Sequence, residues 1–70
     1  MIVTAVIEFD PATSLYVASV PGVPGAHTQA ESLDELRANL QEVLALCREE
    51  QKDFETTLQR FVGIQQIEVA

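Results

Sequence analysis

The sequence predicts an α+β domain with the element order β-β-β-α-β. Two observations carry this prediction. Segments rich in β-branched residues alternate with turn residues over residues 2–30, and apolar residues at helical spacing begin at Leu33. A last segment rich in β-branched residues, 60–69, follows the helix and is predicted to be the closing strand. The expected architecture is one antiparallel sheet with the helix packed on one of its faces.

Residues 2–9 are predicted to form the first strand because β-branched residues are frequent there. Its alternate residues give one wholly apolar face, formed by Val3, Ala5, Ile7 and Phe9. A turn at residues 10–14 follows, in which Pro11 presets φ and the Asp10 side chain can bond the backbone two residues on. Residues 15–20 then complete an antiparallel hairpin.

Two Pro-Gly pairs end the second strand. They are Pro21-Gly22 and Pro24-Gly25, with Val23 between them. Each proline suits the second position of a β-turn, and each glycine can take the positive φ of the third position. Residues 26–30 are too few for a helix and are predicted to form a third strand, with His27 and Gln29 on one face and Thr28 on the other.

The helix is predicted to begin with a capping box, in which the Ser32 hydroxyl accepts the Glu35 amide and the Glu35 carboxylate reaches back. A stripe about 100° wide then packs on the sheet; its members are Leu33, Leu36, Leu40, Val43, Leu44 and Cys47. A helix unbroken to Gln59 would be about 40 Å long, whereas a compact domain of this size has a radius of gyration of about 11 Å. We therefore expect a break around residues 50–53 and a short helical turn carrying Phe54 and Leu58. The alternative is an unbroken helix that projects into a partner subunit.

Seventy residues form one domain, 1–70, which buries only about 60% of its unfolded surface. Cys47 is the single cysteine, so no internal disulfide is expected, and no cluster of His and Cys suggests a metal or other cofactor. Self-association as a dimer or higher oligomer would supply the missing burial. No apolar run reaches the about 18 residues of a membrane span, and the first residues lack the basic segment of a secretory signal. A cytoplasmic protein is therefore expected.

Eleven acidic and four basic residues give a net charge of −7. This charge disfavours direct nucleic-acid binding and favours a basic protein partner, although solubility alone explains it more simply. A Cys-His catalytic pair would require His27, the only histidine, to meet Cys47, which lies in the predicted buried stripe. The sequence therefore predicts a binding module and not an enzyme. An enzyme would instead show a pocket that joins His27 to several carboxylates.

The segment 15–25, followed by Thr28-Gln29 and residues 32–35, resembles the HicB-like antitoxin family. In that family an aromatic-Val hairpin strand runs into a P-x-L-P-G turn, a T-Q-G element and an L-E-E-A helix start. The resemblance extends over roughly residues 2–50 and 61–69. Four positions depart from the family pattern. Gly22 stands where the family usually has an acid, Ala26 where it has Cys, Ala30 where it has Gly, and Leu36 where it has Ala.

The resemblance implies a solitary HicB-like core domain with a partial ribonuclease-H-like fold, without that fold's catalytic acids and without the DNA-binding module that many members carry after the core. It implies binding and neutralisation of a small basic HicA-type mRNA-cleaving toxin. The implied contact residues are Pro21, Gly22, Val23, Pro24, Gly25, His27 and Gln29. Two alternatives remain: the turn serves folding alone, or the chain is an orphan dimeric interaction or regulatory domain without a toxin partner.

Overall fold

A computed structural model describes the backbone of residues 2–70 and the side chains in that range other than those of Thr56 and Thr57. Its elements are β1 (Val6–Asp10), β2 (Leu15–Ser19), β3 (His27–Ala30), α1 (Leu33–Glu50) and α2 (Phe54–Thr57). The strands form one antiparallel sheet in the order β1-β2-β3, and α1 packs over β3 and β2. The predicted α+β fold, with three antiparallel strands and a helix on one face, is confirmed.

Asp10 organises the tight turn between β1 and β2. Its carboxylate accepts hydrogen bonds from the Ala12 amide at 3.0 Å and from the Thr13 hydroxyl at 3.1 Å. The Ser14 amide donates to the Asp10 carbonyl at 2.8 Å. The predicted contact of Asp10 with the backbone two residues on is therefore confirmed.

The first strand is shorter than predicted, because β1 begins at Val6 and not at Ile2. Val6 pairs with Ser19, the last residue of β2. In this antiparallel register, residues 2–5 would need partners among residues 20–23, which form a turn. A strand cannot continue where its neighbour has left the sheet.

The core lies between the sheet and the two helices. One sheet face places Ala18 and Ala30 under α1, and both are buried. α1 contributes Leu36, Leu40 and Cys47, with Val43 and Leu44 half-buried against them, and α2 adds Phe54. Leu33, the first residue of the predicted stripe, is 52% exposed and therefore lies outside the core.

Both ends of α1 follow local signals. The Ser32 hydroxyl accepts the Glu35 amide at 3.2 Å, which is the hydroxyl half of the predicted capping box. α1 ends at Glu50, where the Gln51 amide donates to the Cys47 carbonyl at 2.9 Å, and α2 follows as a separate turn. The predicted break around residues 50–53 is confirmed, and the unbroken helix to Gln59 is excluded.

Replacing Ser32 with alanine should lower the free energy of unfolding by about 1 kcal/mol, because the Glu35 amide loses its acceptor. Chemical denaturation followed by circular dichroism measures the change. Ser19→Ala is the matched control, since Ser19 is an exposed strand residue, and it should change stability by less than about 0.5 kcal/mol. Equal losses for the two variants would contradict a capping role for Ser32.

The prediction of a closing strand at residues 60–69 is wrong. These residues are fully described, carry no strand and are exposed along their whole length. Their β-branched composition favours an extended strand, but strand formation depends on a neighbouring strand, and here the segment lies against none. The observed order is β-β-β-α with a second short helix.

Candidate protein-binding surface

Two consecutive β-turns connect β2 to β3. The Val23 amide donates to the Val20 carbonyl at 3.2 Å, and the Ala26 amide donates to the Val23 carbonyl at 3.1 Å. The third positions are Gly22 and Gly25, whose φ values are 85° and 82°. These values identify both as type II turns, as the Pro-Gly pairs predict. The Val20 amide closes the loop by donating to the Ala26 carbonyl at 2.9 Å.

The double turn points every third residue into the core and the Pro-Gly tips into solvent. Val20, Val23 and Ala26 are 4%, 6% and 3% exposed. The tip residues Pro21, Gly22, Pro24 and Gly25 are exposed. Val23, one of the predicted contact residues, is thus a core residue, because it is the shared corner of the two turns. The candidate surface consists of the tips without Val23.

Contacts from distant parts of the chain hold the double turn in place. The Pro24 carbonyl accepts the Gln51 side-chain amide at 3.1 Å and the Cys47 thiol at 3.8 Å. The Pro21 carbonyl accepts the Gln59 amide at 3.2 Å. The carbonyl of the second turn residue is not used by the turn's own hydrogen bond, so it is free for these donors. A turn fixed in this way loses little conformational entropy when a partner binds.

β3 continues from the turn and carries the other two predicted contact residues. His27 pairs with Ser19, and Gln29 pairs with Val17, on the sheet face opposite α1. Both side chains are exposed, as their alternation predicts. β3 is also an edge strand, so one side of its backbone has no neighbouring strand. The turn tips, His27 and Gln29 are therefore exposed in consecutive parts of the chain, the tips next to the end of α1 and the two side chains on the sheet face opposite α1.

A shallow depression of about 240 Å³ lies beside His27, and its polar lining includes Glu8, Ser19 and Gln29. Glu8 is the one carboxylate in the lining of this depression, so the lining does not join His27 to several carboxylates. Cys47 lies on the buried face of α1, on the other side of the sheet from His27, so the two residues do not form a Cys-His pair. Within residues 2–70, no group of three or more His, Cys, Asp or Glu side chains could hold a metal ion.

Carboxylates border β3. Glu31, Asp34 and Glu35 follow directly after β3 and are exposed. Glu8 lies in the same cross-strand row as Gln29, with Val17 between them. A positively charged partner approaching β3 would therefore meet acidic side chains on the sheet face and at the start of α1.

The chain is 54% identical to a UPF0150 protein of Thermotoga maritima, over 97% of this chain and 89% of that protein. The chain belongs to the UPF0150 family. It is also 45% identical to a UPF0150 protein of Archaeoglobus fulgidus, over 91% of the chain and 88% of that protein. A UPF0150 protein of Synechocystis is 40% identical over 79% of the chain and 77% of its own length. No family model and no solved structure matches this UPF0150 chain.

The sequence did not reveal the donors that fix the double turn of this UPF0150 protein. Gln51 and the Pro24 carbonyl are 27 residues apart in the chain. No local pattern distinguishes Gln51 from the other glutamines, because the contact depends on where α1 ends relative to the turn. The helix break and the Pro-Gly pairs could each be predicted from the sequence, but the contact between Gln51 at the break and Pro24 in the turn could not.

Proposed function

We propose that this chain is a non-enzymatic protein-binding domain that, like the HicB-type antitoxins it resembles, binds and neutralises a small basic mRNA-cleaving toxin. The observation that supports this most is the exposure of the Pro-Gly tips and of the His27 and Gln29 side chains of the strand that follows them. The two tips are held in place by hydrogen bonds to the Pro21 and Pro24 carbonyls. Because such a toxin acts on mRNA, the proposal places the chain in the cytoplasm.

The charge of the chain supports a basic partner. The net charge is −7, and the carboxylates nearest β3 are exposed. A protein that holds RNA phosphates must present a basic surface, and an acidic partner can cover that surface and speed the encounter. Binding of this kind weakens as salt concentration rises, because salt screens charges on exposed surfaces.

The edge of β3 suggests how a partner is held. The outer side of β3 has no neighbouring strand, although the His27 amide already donates to the Gly25 carbonyl at 3.0 Å. An extended segment of the partner can add to this edge by main-chain hydrogen bonds, while alternate side chains meet His27 and Gln29. The turn tips then limit how far the added segment extends.

The test is binding and inhibition of a purified small basic protein encoded by a gene next to that of this chain. Titration calorimetry should show a complex that weakens with added salt, and the complex should suppress cleavage of a test mRNA. Glu31→Lys should weaken binding by about tenfold, which corresponds to about 1.4 kcal/mol. Glu42→Lys is the matched control, because Glu42 is an exposed acid in the middle of α1, and it should leave affinity nearly unchanged.

A complex that Glu31→Lys and Glu42→Lys weaken equally would contradict a binding site at β3. Absence of binding by any such neighbouring protein would contradict the toxin partner. In that case the alternative function, an orphan domain that self-associates and has no toxin partner, would explain the exposed surfaces better.

A further inference from the structure

The C-terminal segment (residues 61–69) is apolar and exposed. Its large apolar side chains are 50–91% exposed; they are Phe61, Val62, Ile64, Ile67 and Val69. The segment contains no proline and a single charged residue, Glu68. This composition is typical of a strand, and contiguous exposed apolar surface of this kind marks an interaction site.

β1 forms one edge of the sheet, and β3, which carries part of the candidate binding surface, forms the other. The edge of β1 is open. β1 pairs with β2 on one side only. α1 lies over β3 and β2, so Ile7 and Phe9, which face the helix side, are still 53% and 52% exposed. Leu33 of α1 is 52% exposed above them.

A groove of about 450 Å³ separates β1 from α1. Its lining includes Ala5, Ile7, Leu33, Leu36 and Leu40. A further strand placed beside β1 at the usual spacing of about 4.8 Å would take up the free backbone groups of β1. Its side chains on the helix side would cover the groove. The site thus combines a free strand edge with an apolar groove on its helix side.

The chain does not fill this groove with its own C-terminal segment. Gln59 is held at the Pro21 carbonyl, and residues 58–61 lie beside residues 2–4, which precede β1. Every residue from 59 to 70 is exposed. The principal extents are 42 × 28 × 17 Å, and the radius of gyration is 13.5 Å, against about 11 Å for a compact chain of this length.

We propose that the C-terminal segment of one protomer adds as a fourth strand to the open edge of β1 in a second copy, and that the second copy returns the same contact. Reciprocal exchange closes after two chains, as a two-fold dimer requires. Each protomer would bury Ile7, Phe9 and Leu33 of the receiving site, which a single chain leaves about half-exposed, under the side chains of one face of the added strand. Because strand side chains alternate, that face carries either Phe61, Ile67 and Val69 or Val62 and Ile64. Homodimer interfaces are apolar in this way.

The charges of the groove lining and of the C-terminal segment are compatible with a second copy of the chain as the occupant. Two protomers of net charge −7 repel each other, but the segment brings only one carboxylate, Glu68, into the interface. When the strand face that carries Val62, Ile64 and Glu68 covers the groove, Arg37 of the groove lining is available to pair with Glu68. A strongly basic partner segment would have only Asp34 of the groove lining as a complementary charge. The groove therefore suits the nearly uncharged segment of a second copy.

The test uses the full chain and sedimentation equilibrium at tens of micromolar protein. The wild type should have twice the monomer mass of 7.7 kDa. Ile64 and Ile67 lie on opposite faces of a strand, so the double variant Ile64→Glu/Ile67→Glu places a glutamate on the helix side whichever face covers the groove. Ile7→Glu disrupts the receiving site, and each variant should sediment as a monomer. Leu46→Glu is the control, since Leu46 is 54% exposed on α1 and lines neither the groove nor the segment, and it should stay dimeric.

Mixing the two monomeric variants separates exchange from other occupants. Ile7→Glu keeps an intact segment and Ile64→Glu/Ile67→Glu keeps an intact groove, so an equimolar mixture should form a heterodimer with one of the two strand additions. Circular dichroism should show unchanged helix content in each variant, because none of the substituted residues is in the buried core.

Three results would overturn the exchange. The first is a monomeric wild type with residues 61–69 protected from hydrogen exchange, which would mean that the segment pairs within its own chain. The second is a dimer whose mass is insensitive to both substitutions. The third is a monomer whose segment becomes protected only when a basic protein is added, which would assign the groove to that protein. A failure of toxin binding would not contradict the exchange, since the exchange uses the edge of β1 and needs no toxin.

Discussion

Leu36→Ala should lower the free energy of unfolding by about 2–5 kcal/mol. Leu36 is 1% exposed and is the most deeply buried large side chain of the described core. Its removal takes away contacts with the sheet and leaves a cavity that the small residues Ala18 and Ala30 beneath α1 cannot fill. For a domain whose total stability is about 5–15 kcal/mol, the loss is a large share.

Urea denaturation at a fixed protein concentration measures this loss, since self-association would make stability depend on concentration. Leu46→Ala provides the control because it makes the same chemical change on the same helix at a residue 54% exposed. It should cost less than about 0.5 kcal/mol. Similar losses at the two leucines would mean that α1 does not pack on the sheet through Leu36.

Gly25→Ala should destabilise the protein by about 1–2 kcal/mol. Gly25 has φ of 82°, in the region that L-residues adopt at a cost, and a Cβ placed there would meet no atom within 4 Å. The expected loss is therefore conformational and not steric. The same variant should weaken partner binding, because Gly25 shapes one of the two tips of the candidate surface.

Gly63→Ala isolates the conformational effect. A Cβ at Gly63 also meets nothing within 4 Å, and Gly63 does not have a positive φ. Because Gly63 lies in the segment proposed for exchange, both substitutions are compared in the monomeric Ile7→Glu background. Thermal denaturation there should show a lower melting temperature for Gly25→Ala and no decrease for Gly63→Ala. If both glycines tolerated alanine equally, the type II geometry of the second turn would not matter to stability.

The features that the sequence predicted correctly depend on neighbouring residues. The Pro-Gly pairs specify type II turns because proline restricts φ and glycine allows a positive φ. Ser32 begins α1 because its hydroxyl reaches an amide three residues on. The break after Glu50 followed from the limited size of a domain of this length. Each of these signals acts within a few residues or follows from chain length.

The features that the sequence did not predict depend on distant parts of the chain. Residues 60–69 have the composition of a strand, yet a strand also needs a neighbour, and composition does not say which edge will supply one. Ile2 to Ala5 failed to join β1 for the same reason. Val23 stands between exposed turn residues in the sequence, and no local pattern marks it as buried. It points into the core because the two turns join at that residue.

The hydrogen bond from the Gln59 amide to the Pro21 carbonyl has a thermodynamic consequence. It connects the first Pro-Gly tip, which is part of the surface proposed for toxin binding, to the residues just before the C-terminal segment proposed for exchange between protomers. A ligand that draws the Pro21 carbonyl away from Gln59 would release those residues and alter the affinity between protomers. Linkage requires the reverse as well, so dimer formation would change the affinity for the ligand by the same factor. The two edges of this small sheet would then act as one cooperative system.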